Sequence, residues 1–355
     1  MSYLLSIEAV AYGGAGIGRI EGKVVFVPFT IPGERVRVRL VRQKKNFAEA
    51  ELLEVLEPSP LRQTPRCPVF GKCGGCAYQH VDYETQLAWK AGQVIDLLER
   101  VARVPNPPVL DALASPSPWG FRNRIRVHSS EGSTGFYSKH GRHVVDVAHC
   151  AIASDEVNAQ LARLRLKPPL SGETSLAAKR GVHFFEQTND GAAELLVELV
   201  EKSMDQGGGT LIDAYCGAGF FGHQLSSKFS KVIGIESHEA AVKQARLRAH
   251  ANESYLCGDV AEHLGDLLSV ADRKQTTVLL DPPAAGVVAR VTDSLIALPV
   301  RQLIYVSCDP ATLARDIGVM VRGGYILERV TPVDMFPQTA DIEVVAELRT
   351  GTVSE

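Results

Sequence analysis

"GTLIDAYCGAGFFG", from Gly209 to Gly222, decides the architecture. An apolar, strand-like run breaks into three glycines within six residues and then turns helical. That is how a strand hands over to a helix in an α/β sheet. The rhythm repeats downstream. "KVIGIES" (231–237) leads into "HEAAVKQARLRAHA" (238–251), and "SYLC" (254–257) leads into "GDV". "TTVLLDPP" (276–283) leads into a helical stretch and then the apolar strand of "LIYVSCDPATLARD" (303–316). From about Gly181 onward a doubly wound parallel sheet is therefore expected, a Rossmann-like α/β domain over 179–355.

Upstream the texture changes. Residues 1–57 alternate with period two between Gly and Pro punctuation, as in "GKVVFVPFTIPGERVRVRLVRQKKNFAEAELLEVLEP". This predicts an OB-like β-barrel of about five short strands. Arg35, Arg37 and Arg39 share one face, while Val36, Val38 and Leu40 share the other. With Arg42, Lys44 and Lys45 they make six cations and no acid over 35–45. Two readings stay open: a groove that follows phosphates, or an edge strand kept soluble by charge. "GGAGIGR" (13–19) lies between strand-like runs and opens no helix, so it reads as a turn and not as a phosphate loop.

Pro58, Pro60 and Pro65 mark a linker into a central region, 58–178. There, Tyr83 to Val101 reads as an amphipathic helix with Leu87, Val94, Leu97, Leu98 and Val101 on its apolar face, expected to pack on the α/β domain. Residues 105–175 read as loop with scattered strands. "FRNRIRVH" supplies a second basic face through Arg122, Arg124 and Arg126.

The chain of 355 residues is 45% hydrophobic and carries a net charge of −3, which fits a globular protein and excludes a global positive field. The first residues lack a basic stretch followed by an apolar core, and no run nears the ~18 apolar residues of a membrane span. A cytoplasmic monomer with no membrane partner is expected.

Three of seven cysteines crowd into "CPVFGKCGGC": Cys67, Cys73 and Cys76. Their odd total argues against a disulfide framework and their crowding argues for a metal. Cys150 in "VVDVAHC" is the natural fourth ligand. Four thiolates suit zinc or an iron–sulfur cluster, and softness alone does not choose.

"GAGFFG" matches the phosphate-side glycine pattern, with Gly217 and Gly219 after a strand. Glu236 ends the next strand, where a carboxylate can hold ribose hydroxyls. Alone this does not separate NAD from S-adenosylmethionine. "DPPAAG" (281–286) tips the balance, because Asp-Pro-Pro at a strand end is familiar from nucleic-acid methyltransferases. Adenine amino-methyltransferases usually follow it with an aromatic residue, and here Ala284 follows.

Cys308 ends a buried strand where ligands bind in open α/β sheets. A thiolate there can add to C6 of a uracil and make C5 nucleophilic enough to take a methyl group. The C5 proton must then go to a base, and "MFPQTADIEVVAEL" offers Glu343.

With these residues in hand, the chain resembles the RNA (uracil-5-)-methyltransferases over nearly its whole length. "VSCDPATLARD" is similar to that family's nucleophile motif and "MFPQTADIE" to its base motif, which implies Cys308 as nucleophile and Glu343 as proton acceptor. "FFEQTN" (184–189) resembles the opening of its catalytic domain. The resemblance places Gln187, Tyr215, Glu236, Asp259 and Asp281 at the S-adenosylmethionine. It further implies a [4Fe–4S] cluster on Cys67, Cys73, Cys76 and Cys150, a TRAM domain over 1–57, and RNA as partner, ribosomal RNA ahead of transfer RNA. The chain departs from the family pattern at Ala284, where Arg is usual, at Phe220, where Asn is frequent, and at Asp341, where His is common. An amino-methyltransferase and an inactive RNA-binding factor are the competing expectations.

Overall fold

The structure is a computed structural model that describes residues 2–139, 141–178, 187–205 and 208–351. Its strands fall into three sheets.

The first holds β1 (Tyr3–Ser6), β2 (Ala9–Val10), β3 (Ala15–Ile20), β4 (Lys23–Pro28), β5 (Arg35–Gln43) and β6 (Phe47–Glu57), in the order β1-β5-β6-β4-β3-β2. Only Ile7 and Glu8 separate β1 from β2, so the two ends of the sheet are consecutive in the chain and the sheet curls. Val25, Val27, Val36, Val38, Ala48 and Ala50 fill its inside, as the period-two pattern expects. "GGAGIGR" is a turn running into β3.

The basic face of β5 departs from the edge-strand reading, and it is not free of acids. β5 is not an edge, because β1 and β6 flank it. Its arginines meet carboxylates across the strand pair: Arg35 with Glu57 at 3.3 Å, Arg37 with Glu54 at 3.2 Å, Arg39 with Glu51 at 2.6 Å and Arg42 with Glu49 at 3.4 Å. The neutralising acids lie in β6, outside the stretch that looked purely basic. Each such exposed pair contributes under about 1 kcal/mol.

The linker is tied to the barrel by Arg62, which pairs with the buried Glu34 at 2.5 Å and donates to Phe29 O. α1 (Tyr83–Leu97) follows, with Asp82 as its N-cap accepting from Thr85 N–H at 2.7 Å. Beyond it, β7 (Arg124–Ser130), β8 (Ser133–Tyr137), β9 (Val144–Asp146), α2 (Asp155–Leu166) and β10 (Ser171–Ala177) build a four-stranded antiparallel sheet, β10-β7-β8-β9, backed by α2. Sequence reading had placed only scattered strands there. Ile125 and Val127 point into its core with Leu161 and Leu176, and Arg126 pairs with Glu173 at 3.1 Å.

α1 and the turn that follows it bury Val94 and Leu98 in the same core as Leu313 and Ile317. Val101 stays 43% exposed, because the helix gives way at Leu97 to a wider turn, Leu98–Ala102, which ends on Arg103 with φ 63°. The buried side of α1 also includes Gln86, Lys90 and Gln93.

The third sheet is the α/β domain. Its elements are α3 (Asp190–Ser203), β11 (Thr210–Ala214), α4 (Phe220–Leu225), β12 (Lys231–Glu236), α5 (Glu239–Arg248), β13 (Glu253–Cys257), α6 (Val260–Val270) and β14 (Thr276–Leu280). They continue with α7 (Ala289–Ala297), β15 (Gln302–Ser307), α8 (Pro310–Arg322), β16 (Tyr325–Val333) and β17 (Glu343–Thr350). The order is β13-β12-β11-β14-β15-β17-β16. The first five strands are parallel, and β17 inserts antiparallel between β15 and β16. Both faces are covered, so β14 and β15 are buried along their whole length. No described helix is long and apolar enough to cross a membrane.

Candidate active site

The parallel strands end on one edge, and the glycine loop opens there. Tyr215 (φ 67°), Gly217 (φ 53°) and Gly219 (φ 83°) take left-handed backbone after β11. A Cβ at Gly219 would lie 2.5 Å from His223 Nε2 and 2.9 Å from the Tyr255 hydroxyl, so only glycine fits. Glu236, at the end of β12, accepts from Gly217 N–H at 3.2 Å and from His238 N–H at 2.7 Å, which fixes its carboxylate across the loop. Asp259 follows β13 and caps α6, accepting from Ala261 N–H at 2.8 Å. Asp281 follows β14, and its N–H donates to Ala214 O at 3.2 Å. Gln187 precedes α3, and its carbonyl accepts from Asn123 Nδ2 at 2.9 Å. Residues 184–186 of the "FFEQTN" stretch lie outside the described residues. Tyr215, Gly217, Gly219, Glu236, Asp259 and Asp281 thus stand at neighbouring strand ends, where open α/β sheets bind nucleotides.

Two strands further along, β15 delivers Cys308 into the open. The Asp and Pro beside it have a structural reason. Asp309 is the N-cap of α8, accepting from Ala311 and Thr312 N–H at 2.8 and 3.0 Å, and Pro310 opens the first turn. Antiparallel pairing of Ser307 with Val344 brings Glu343 across from Cys308. Burial pushes the Cys308 thiol up to about 11, with Glu343 and Asp281 adding to it. Burial, and then Asp281, also raises the Glu343 carboxyl well above the usual range, and burial pushes Asp281 up to about 7. A thiol and two proton-hungry carboxyls therefore share one corner at the strand ends.

The departures from the family pattern have local accounts. Arg315 of α8 supplies a guanidinium to the Asp-Pro-Pro loop, donating to Ala285 O at 3.0 Å, while Thr312 Oγ1 donates to Ala284 O at 3.0 Å. Asp316 ties the same corner together, accepting from Val287 N–H at 3.0 Å and the Tyr305 hydroxyl at 2.8 Å. Phe220 packs edge-on against Phe221 with ring centres 4.9 Å apart. Asp341 N–H donates to Thr339 Oγ1 at 3.2 Å.

Sequence reading missed what holds the loop before Glu343. Lys90 of α1 bonds Asp334 Oδ1 at 2.6 Å and Phe336 O at 3.1 Å, fully buried on both sides. Gln86 and Gln338 bond reciprocally: Gln86 Nε2 to Gln338 Oε1, and Gln338 N–H to Gln86 Oε1, each 3.1 Å. Ala77 and Tyr78, just after Cys76, donate their N–H groups to Gln338 O at 2.8 and 3.0 Å. Asn189 Nδ2 donates to Met335 O at 3.0 Å. A lysine on the apolar stripe of α1 was the one available signal.

Cys67, Cys73, Cys76 and Cys150 line one cavity of about 220 Å³ together with Val69, Phe70 and Ile125. Burial raises Cys73, Cys76 and Cys150, with Cys76 reaching about 12, and the thiols raise one another further. Four thiols around one hollow are a donor set of the kind that suits a thiolate-bound metal or cluster. Among the described residues no three ligand side chains close on a single ion.

A glycine loop under a carboxylate, beside a thiol with its own proton acceptors, defines a nucleotide-cofactor group-transfer enzyme of the methyltransferase type. Comparison with known proteins sharpens this. The TRAM domain family matches residues 2–53, the methyltransferase small domain family residues 173–303, and the tRNA (uracil-5-)-methyltransferase family residues 264–350. An uncharacterized RNA methyltransferase of Synechocystis sp. is 31% identical over 97% of this chain and 95% of its own. One from Thermosynechococcus vestitus is 32% identical over 98% of both. The tRNA (uracil-54, C5)-methyltransferase of Pyrococcus abyssi, solved with S-adenosyl-L-homocysteine, shares the fold: TM-score 0.73 at 23% identity, covering 97% of this chain and 100% of that one. The chain belongs to the RNA methyltransferase family.

Proposed function

We propose that the protein methylates C5 of uridine in ribosomal RNA through a covalent bond from Cys308 to C6. The observation that carries this reading is the β15–β17 register, which sets Glu343 across from Cys308. The Cys308 sulfur bonds C6 as its proton passes to a neighbouring carboxylate, and the ring electrons move to the C4 oxygen. S-adenosylmethionine supplies the methyl group. Glu343 then takes the C5 proton, the C5–C6 double bond re-forms, and the C6–S bond breaks. Gln187, Tyr215, Gly217, Gly219, Glu236, Asp259 and Asp281 are the residues we assign to the cofactor. A stacked base hides C6, so the target uridine is unpaired or flipped out.

In this reading the barrel (1–57) and the central region (58–178) grip RNA, the α/β domain (179–355) does the chemistry, and the protein acts as a monomer. Cys67, Cys73, Cys76 and Cys150 would hold a [4Fe–4S] cluster that crosslinks the central region. Anaerobically purified protein is expected to contain iron and acid-labile sulfide in equal amounts, about four of each per chain. Stoichiometric zinc without sulfide would replace the cluster by a single-ion site.

The test uses transcripts of ribosomal and transfer RNA carrying 5-fluorouridine, incubated with S-adenosylmethionine. Fluorine cannot leave C5 as a proton does, so the adduct is trapped. Wild-type protein is expected to form a denaturant-stable adduct with ribosomal RNA, and Cys308→Ala none. An adduct confined to transfer RNA favours the second reading, to which the match over residues 264–350 points. Methyl transfer by Cys308→Ala at the wild-type rate would sink the covalent mechanism.

A further inference from the structure

The barrel reaches the candidate active site through one turn. Residues 11–14, between β2 and β3, close with Gly14 N–H to Ala11 O at 3.0 Å and Ala11 N–H to Ala15 O at 2.8 Å. Gly14 has φ +83°, and a Cβ there would lie 3.1 Å from both Ala77 Cβ and Tyr78 Cε1 and 3.4 Å from Ala340 Cβ. Val10, just before the turn, packs in one apolar cluster with Ile31, Tyr78, Trp89 and Ala340. The turn is thus seated on the loop that leads to Glu343.

Tyr12 stands in this turn, half-buried. The ionisable groups around it come from three separate places: Asp309 and Cys308 at the end of β15, Asp341 in the loop before β17, and Tyr78 after the cysteine cluster. Burial, with these acids beside it, holds the phenol well above its ordinary range. The hydroxyl therefore stays a neutral donor, in a corner whose other groups mostly accept protons.

We propose that Tyr12 is a substrate-contacting residue of the uridine site, its ring one wall of the site and its O–H a donor to a carbonyl oxygen of the base. This rests on the uracil reading. When the thiolate adds to C6, negative charge moves onto the C4 oxygen. An ionised carboxylate nearby would repel that charge, whereas a neutral O–H donates to it. The contact also explains why a barrel outside the catalytic sheet is pressed against the strand ends: it completes the site as well as holding RNA.

The experiment uses full-length protein and the fluorouridine transcript, with S-adenosylmethionine in excess. Adduct formation is followed in single turnover, and RNA affinity is measured separately. Tyr12→Phe is expected to slow the adduct step about tenfold or more while RNA affinity stays within about twofold. Tyr12→Ala, which also removes the wall, is expected to be slower still. The split between rate and affinity separates a contact with the base from a role in seating the barrel, which would weaken RNA binding in step with the rate. Equal losses in both, or wild-type rates in both variants, overturn the assignment. A wild-type protein that forms no adduct overturns the uracil reading and this assignment with it, so the two failures are distinguishable.

Discussion

Replacing Glu343 by Gln is expected to leave the methyl group on the base and the base on the protein. The amide keeps the shape of the carboxyl but cannot take the C5 proton, so the C6–S bond has no route to break. Turnover should fall by about a thousandfold, the middle of the range for losing a positioned base. A denaturant-stable complex should accumulate with ordinary uridine RNA, without fluorine. A second readout follows from the charges. Glu343 is among the groups that raise the Cys308 thiol toward about 11. Removing the carboxyl lowers that value, so more thiolate is present at a given pH. Iodoacetamide should then alkylate Cys308 faster in Glu343→Gln than in wild type at pH 8, and in both proteins faster as pH rises. Normal turnover by the Gln variant would remove Glu343 from the mechanism.

Lys90→Ala is expected to produce the largest loss of stability outside the apolar cores. The Lys90–Asp334 pair is fully buried, so Lys90 is the cation that neutralises Asp334 in the interior. Burial pulls the lysine down from its ordinary range and Asp334 opposes that shift. Deleting one partner strands the other charge in the interior, at a cost of about 3–5 kcal/mol. Replacing both, as in Lys90→Met with Asp334→Leu, should recover most of that loss. Denaturant unfolding of the three proteins checks it. A Lys90→Ala protein within about 1 kcal/mol of wild type would show that water reaches Asp334. Because Lys90 also holds Phe336 O, the single variant should lose activity even at temperatures where it stays folded.

What was legible in the sequence was whatever repeats along it. Strand and helix alternate at short range, so the α/β sheet and its glycine loop could be read directly. The thiol at the end of β15 was legible for the same reason, since a buried strand has a recognisable end. The four cysteines were found by residue type, and the structure gathers all four around one cavity although 74 residues separate Cys76 from Cys150. The rest depends on pairings that leave no local pattern. Lys90 and Asp334 are 244 residues apart. Tyr12 comes near the end of β15 only because a barrel turn lands on a distant loop. The arginines of β5 looked unpaired because their carboxylates sit on the next strand. Val101 looked buried because a helical period was carried past the point where the helix changes pitch.

The place of β17 bears on how the protein is made. It lies between β15 and β16, and the ribosome has built both before β17 begins. In the proposed mechanism a nascent chain therefore carries its nucleophile, Cys308, before the proton acceptor opposite it. Such a chain could seize a uridine and would have no means of releasing it. The sheet order works against this, since β17, which begins at Glu343, is the strand that joins β15 to β16. A polypeptide arrested in that interval has an incomplete sheet, and with it a poorly formed pocket. In the proposed mechanism, completion of the sheet and arrival of the releasing group are therefore one event.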